Sequence, residues 1–126
     1  MPIRHTAVWI DHQEAKIFQI DRESFEEKTL RDPHRELHRR PTIDAEKSHP
    51  TDGEHFYRDV ANALEGAEEI LVVGPSKAKL EFIKHVHKHN HALVPKIIGV
   101  ETVDHPTDGQ LAAFARHYFR VADRMQ

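Results

Sequence analysis

Four histidines at alternate positions, His85, His87, His89 and His91, are the densest group of potential metal ligands in the chain. On a helix, His85 and His89 share one face and His87 and His91 another, a spacing that suits two ligands of one ion. No carboxylate within the 85–91 stretch completes either pair, and cationic side chains are favourable at a helix C-terminus in any case. The group is therefore read as solvated helix-end histidines, with metal ligation kept as an alternative and no cofactor expected.

A second candidate is the run Gly74-Pro75-Ser76-Lys77-Ala78-Lys79. A strand-to-helix turn of this kind points unpaired N–H groups outwards and can hold a phosphate, with Lys77 and Lys79 adding charge. The plainer reading is a helix capped by Ser76 with its lysines in water. A nucleotide-binding P-loop is excluded, because the two-glycine frame and the Gly-Lys-Ser/Thr ending are missing. The third candidate is cationic: Arg31, Arg35, Arg39, Arg40 and Lys47, interleaved with His34, His38 and His49. Such a set can neutralise an RNA backbone in a salt-sensitive way. Asp32, Glu36, Asp44 and Glu46 can equally pair with it as a solvated loop.

Asp11, Glu14 and Asp21 are the carboxylates to weigh for two-metal nuclease chemistry. No third or fourth acid falls at a matching strand end, and Asp11 can simply serve a turn. Serine–histidine hydrolysis lacks a nucleophile-elbow context.

The elements that must position these groups follow from apolar patterning. Thr6-Ala7-Val8-Trp9-Ile10 and Ala15-Lys16-Ile17-Phe18-Gln19-Ile20, split by His12-Gln13-Glu14, read as a β-hairpin. A third extended segment, about residues 24–30, is charged enough to be an edge strand. Residues 31–51 carry three prolines and no periodicity. That connection of about 20 residues is long against a usual ~4–6, and long loops lean towards function.

Beyond it, Asp52 is placed to cap a helix to about Leu64, with Phe56, Val60, Ala63 and Leu64 as its stripe and Gly66 as its stop. Residues 68–74 form a buried strand. Leu80, Ile83 and Val86, with Phe82 beside them, face the core from the next helix. Residues 96–100 make a second buried strand. Thr107 or Asp108 opens a last helix striped by Leu111, Phe114, Ala115, Tyr118 and Val121. The order β-β-β-α-β-α-β-α predicts an α/β fold with a mixed five-stranded sheet, helices on its faces, and the fourth strand beside the first. This is the ribonuclease-H-like three-layer motif.

Composition sets limits on function. The chain has 126 residues, the size of one domain, and residues 1–126 are read as such. A formal net charge of -3 argues against a dedicated DNA-binding protein, so no DNA partner is expected. The absence of cysteine excludes disulfides, thiolate zinc sites and cysteine nucleophiles. No apolar run approaches the ~20 residues of a membrane span, so no membrane partner and a cytoplasmic location are expected.

Two stretches resemble the central domain of the Pelota and archaeo-eukaryotic release-factor family. One is the opening hairpin; the other is Ile70-Leu71-Val72-Val73-Gly74-Pro75-Ser76-Lys77-Ala78-Lys79-Leu80-Glu81-Phe82, similar to the family's strand, Gly-Pro turn and Lys-bearing helix start. In release factors a Gly-Gly-Gln loop in the connection after the third strand promotes ester hydrolysis. Residues 31–51 contain neither glycine nor glutamine, so the resemblance implies no peptide release and leans towards Pelota, which also lacks the triplet. Asp108-Gly109-Gln110 is a decoy in the wrong place, with Asp108 readable as a helix cap.

The resemblance implies a non-catalytic, translation-associated domain. Its expected partner is the ribosome or ribosomal RNA, met through Arg31, Arg35, Arg39, Arg40, Lys47, Ser76, Lys77 and Lys79. The alternatives are a protein-interaction module, homo-oligomeric among other forms, and a metal-dependent nuclease-like enzyme.

Overall fold

The computed structural model describes residues 5–32 and 51–124. Its elements run β1 (His5–Ile10), β2 (Glu14–Ile20), β3 (Phe25–Arg31), α1 (Thr51–Ala63), β4 (Glu69–Gly74), α2 (Ala78–His89), a 3₁₀ segment (His91–Lys96), β5 (Ile97–Thr102) and α3 (Asp108–Arg124). The five strands form one sheet in the order β3-β2-β1-β4-β5. β1 pairs antiparallel with β2 and parallel with β4, with Val8 opposite Val72 and Trp9 opposite Val73. β5 lies parallel to β4, and β3 closes the other edge. The expected mixed five-stranded α/β sheet is therefore what forms.

The period-2 alternation of strand side chains divides the core into two layers. Val8, Ile10, Ile17, Ile70 and Val72 point to one face, under Phe56 and Val60 of α1, Leu64 just beyond it, and Phe82 and Val86 of α2. Ala7, Trp9, Phe18, Leu71 and Val73 point to the other, under Leu111, Ala112, Ala115 and Phe119 of α3. Central β1 and β4 are apolar on both faces because both are covered. Trp9, in the α3 layer, donates its indole N–H to the Asp104 carbonyl at 2.8 Å and so anchors the turn between β5 and α3.

Several local expectations differ from the structure. Leu80 is 51% exposed; α2 buries Ala78, Lys79, Phe82, His85 and Val86 instead. The apolar residues of this helix fit two stripes offset by a fraction of a turn, and the sheet selects the one centred on Phe82. On α3 the buried stripe is Leu111, Ala112, Ala115 and Phe119, leaving Phe114 and Val121 exposed and Tyr118 half-buried. β5 is an edge strand of half-buried and exposed residues rather than a buried one, because among the described residues no strand pairs with its outer side.

Asp52 lies within α1 rather than ahead of it. Thr107, not Asp108, caps α3. Its Oγ1 accepts the Gln110 N–H at 3.1 Å, while Gln110 Oε1 accepts the Thr107 N–H at 2.9 Å, a reciprocal capping box.

Candidate functional site

Open α/β sheets bind ligands beyond the carboxyl ends of their parallel strands. Here that end is built by the β1–β2 turn, the β4–α2 turn and the last residues of β3, which runs parallel to β1 through β2. Asp11 Oδ1 accepts the backbone N–H groups of Gln13 at 2.8 Å and Glu14 at 2.7 Å, so its carboxylate shapes the hairpin turn. From that turn His12 Nε2 reaches Glu81 Oε2 at 3.0 Å on α2, and the Tyr57 hydroxyl of α1 donates to Glu81 Oε1 at 3.2 Å. The chain His12–Glu81–Tyr57 thus ties the hairpin to both helices of one face.

Gly74 ends β4 where only glycine fits. A β-carbon there would lie 2.2 Å from the Ile10 carbonyl oxygen, which is backbone and cannot yield. The following turn places Lys77 at the N-cap of α2, exposed and without a side-chain cap. Ser76 is not that cap, although its Oγ accepts the Ala78 N–H at a long 3.4 Å. Lys79 is 7% exposed, and its Nζ donates to the Ser76 carbonyl at 2.7 Å. It braces the turn from inside rather than standing in water. The N–H groups of Leu80 and Glu81 both donate to the Lys77 carbonyl.

Arg31 is exposed at the same end of the sheet, with Nε 3.7 Å from Glu14 Oε2. Its neighbour Asp32 is buried, and its N–H donates to the Gln13 carbonyl. Arg35, Arg39, Arg40 and Lys47, with His34, His38 and His49, lie outside the described residues. Of the expected contact residues, the structure therefore brings Arg31, Ser76 and Lys77 to one end of the sheet.

The histidines of the 85–91 stretch separate. His85 is buried, with its ring 6.2 Å from Tyr57 and 4.8 Å from His89. His87 and His89 are exposed near the end of α2, and His91 opens the 3₁₀ segment. Reading all four as solvated fails for His85. Of the acids weighed for nuclease chemistry, Asp11 and Glu14 share the β1–β2 turn and Asp21 stands apart. Asp11 follows β1, whereas Asp21 follows the antiparallel β2 at the opposite end of the sheet.

At that opposite, amino end lies a group that patterning did not single out. His5 and Glu69 are paired across β1 and β4, and Asp123 comes from the last turns of α3. His5 Nε2 is 3.1 Å from Glu69 Oε1 and 3.2 Å from Asp123 Oδ2. The imidazole stacks on Phe119, with ring centroids 4.5 Å apart. Burial pushes the Glu69 carboxyl above its ordinary range; the Asp123 carboxylate beside it pushes the same way, and His5 opposes both. Among the described residues, these are the three metal-ligating side chains whose ligand atoms converge, all within 4.8 Å of one another. The only sequence signal for them is a polar residue opening each of two apolar strands; Asp123 becomes a neighbour only once α3 is laid across the sheet.

The architecture defines a class: a mixed α/β sheet with helices on both faces, carrying a glycine turn where the fourth strand ends beside the first. Within that class the chain has the fold of Pelota and archaeal release-factor structures. It superposes on the Thermoplasma acidophilum Pelota protein with a TM-score of 0.62 at 20% identity, covering 85% of this chain and 30% of that one. Archaeoglobus fulgidus Pelota gives 0.62 at 16% identity, over 95% of this chain and 35% of that one. The archaeal translation termination factor aRF1 gives 0.61 at 15% identity, over 96% and 38%. The chain thus spans about a third of the length of each. No family model matches the sequence, and no curated protein matches it.

Proposed function

We propose that this chain is a translation-associated, non-catalytic domain that contacts ribosomal RNA or a ribosomal protein from the carboxyl end of its parallel strands. The observation that carries the reading is the fold shared, over 85–96% of the chain, with two Pelota structures and an archaeal termination factor. The position of Arg31 and Lys77 at one end of the sheet supports the choice of surface. In this reading residues 1–126 act as one cytoplasmic domain, and Arg35, Arg39, Arg40 and Lys47 extend the cationic surface. Peptide release is no part of it, because residues 31–51 offer neither glycine nor glutamine.

The test is cosedimentation with ribosomes at low and moderate salt. Phosphate contacts predict pelleting that weakens steeply as salt rises. Combined replacement of Arg35, Arg39 and Arg40 by alanine should leave the protein folded and in the supernatant. Wild-type protein that is folded yet fails to pellet at either salt would remove the ribosomal reading.

A second reading is favoured by the β5 edge of the sheet, where Val100 of β5 is exposed on one face and Phe114 and Val121 of α3 on the other. Apolar side chains on an edge strand and the helix covering it suit association between copies of the chain. A concentration-independent monomer mass in solution light scattering excludes it.

A further inference from the structure

We propose that His5, Glu69 and Asp123 bind a zinc-class divalent cation that joins the amino ends of β1 and β4 to the C-terminal end of α3. The inference is independent of the ribosomal reading and concerns the other end of the sheet. One imidazole nitrogen with carboxylate oxygens is a donor set that zinc accepts, with three protein ligands and one further position. In a tetrahedral site with bonds of about 2.0–2.2 Å, neighbouring ligand atoms stand about 3.3–3.6 Å apart. The His5 nitrogen already lies 3.1 Å and 3.2 Å from its two oxygens, so both edges need to open by only a few tenths of an ångström. The remaining separation, Glu69 to Asp123, is within 4.8 Å.

The scaffold holds these groups before any ion arrives. Strand pairing fixes His5 opposite Glu69, and the Phe119 ring restricts the plane of the imidazole. Two carboxylates facing one imidazole concentrate acidic oxygen where Glu69 is only 12% exposed. A divalent cation neutralises both at once. His5 and Asp123 also line an open cleft of about 930 Å³, rimmed by Arg22 and Arg120, so water can reach the fourth position. Magnesium and calcium favour all-oxygen shells, so the nitrogen ligand selects against them.

The experiment uses the untagged full chain, stripped with chelator and titrated with zinc chloride in a calorimeter, with thermal melts alongside. One equivalent of zinc should bind in the presence of excess magnesium and raise the melting temperature. Cobalt in its place should give the visible absorption of a four-coordinate site. Glu69→Gln and Asp123→Asn should each weaken zinc by more than about tenfold, the smallest loss that even outer-shell partners usually give. His89→Ala should leave it unchanged.

Asp123 lies in the last turns of a surface helix, so Asp123→Asn decides the matter if a strand variant does not fold. Folded wild type that takes up no zinc overturns the proposal. So does zinc retained at full affinity in folded Asp123→Asn, or lost in His89→Ala.

Discussion

At one end of the paired strands β1 and β4, the polar groups are committed to architecture. Asp11 holds the hairpin turn, Lys79 braces the Ser76 carbonyl, and Glu81 links His12 to Tyr57. At the other end, His5, Glu69 and Asp123 face one another across three elements, and one carboxyl is held above its ordinary range. The carboxyl end is where this architecture ordinarily places its ligands, yet its acids are taken up by turns and helix ties. Convergent, ligand-like geometry appears instead at the amino end. Position in a fold therefore says where to look, and the hydrogen-bond commitments of each side chain say what remains for a ligand.

Four measurements can break or sharpen that contrast. The largest effect is expected from Gly74→Ala, which drives a methyl group against the Ile10 carbonyl. Overpacking of this kind costs about 1–3 kcal/mol, and denaturant unfolding should show it. A neutral result would mean that β1 and β4 can part at their carboxyl ends. Next comes Thr107→Ala, which removes half of the capping box at the start of the helix that carries Asp123. A loss of about 1 kcal/mol is expected, with Gln110→Ala adding little on top of it. Independent, additive losses would show that the two bonds do not act together.

The third test concerns Glu69 in chelator-treated protein. A raised carboxyl pKa means that the folded state holds the proton more tightly than the unfolded chain does. Its stabilising contribution is full below the ordinary glutamate value, about 4.3, and is lost as pH rises through the folded value. The stability of wild type relative to Glu69→Gln should therefore fall as pH climbs from about 4 through that window. A difference that stays flat would place the carboxyl in an ordinary solvent environment, and one that rises would mean that His5 outweighs burial and Asp123. The smallest effect belongs to Arg31→Ala. The side chain is exposed, and exposed substitutions usually change stability by no more than about 0.5 kcal/mol. Any strong loss of ribosome pelleting from that variant would then reflect contact rather than folding.

Much of the fold was legible because its signals are local. The runs Ala7-Val8-Trp9-Ile10 and Ile70-Leu71-Val72-Val73 are apolar on both faces, which only central strands require, and their parallel pairing follows from the order of elements. Helix faces were less legible. Leu80, Phe114 and Val121 fit an apolar stripe as well as the residues that are actually buried, and only the position of the sheet decides between stripes. His85 illustrates the same ambiguity, since nothing local separates it from the exposed His87 and His89. At the carboxyl end, the Gly74 turn was readable as a motif, but the inward bond of Lys79 was not. The amino-end group was beyond local reading altogether. His5 and Asp123 are 118 positions apart, and their meeting depends on strand order and helix placement together.

Trp9 is the sole tryptophan of the chain, and its indole is 3% exposed, hydrogen-bonded to Asp104, with the His105 ring 5.1 Å away. Intrinsic fluorescence excited through it therefore reports on one place, the junction where the last helix leaves the edge of the sheet. A red shift in emission would register that helix lifting away, with no label attached to the protein.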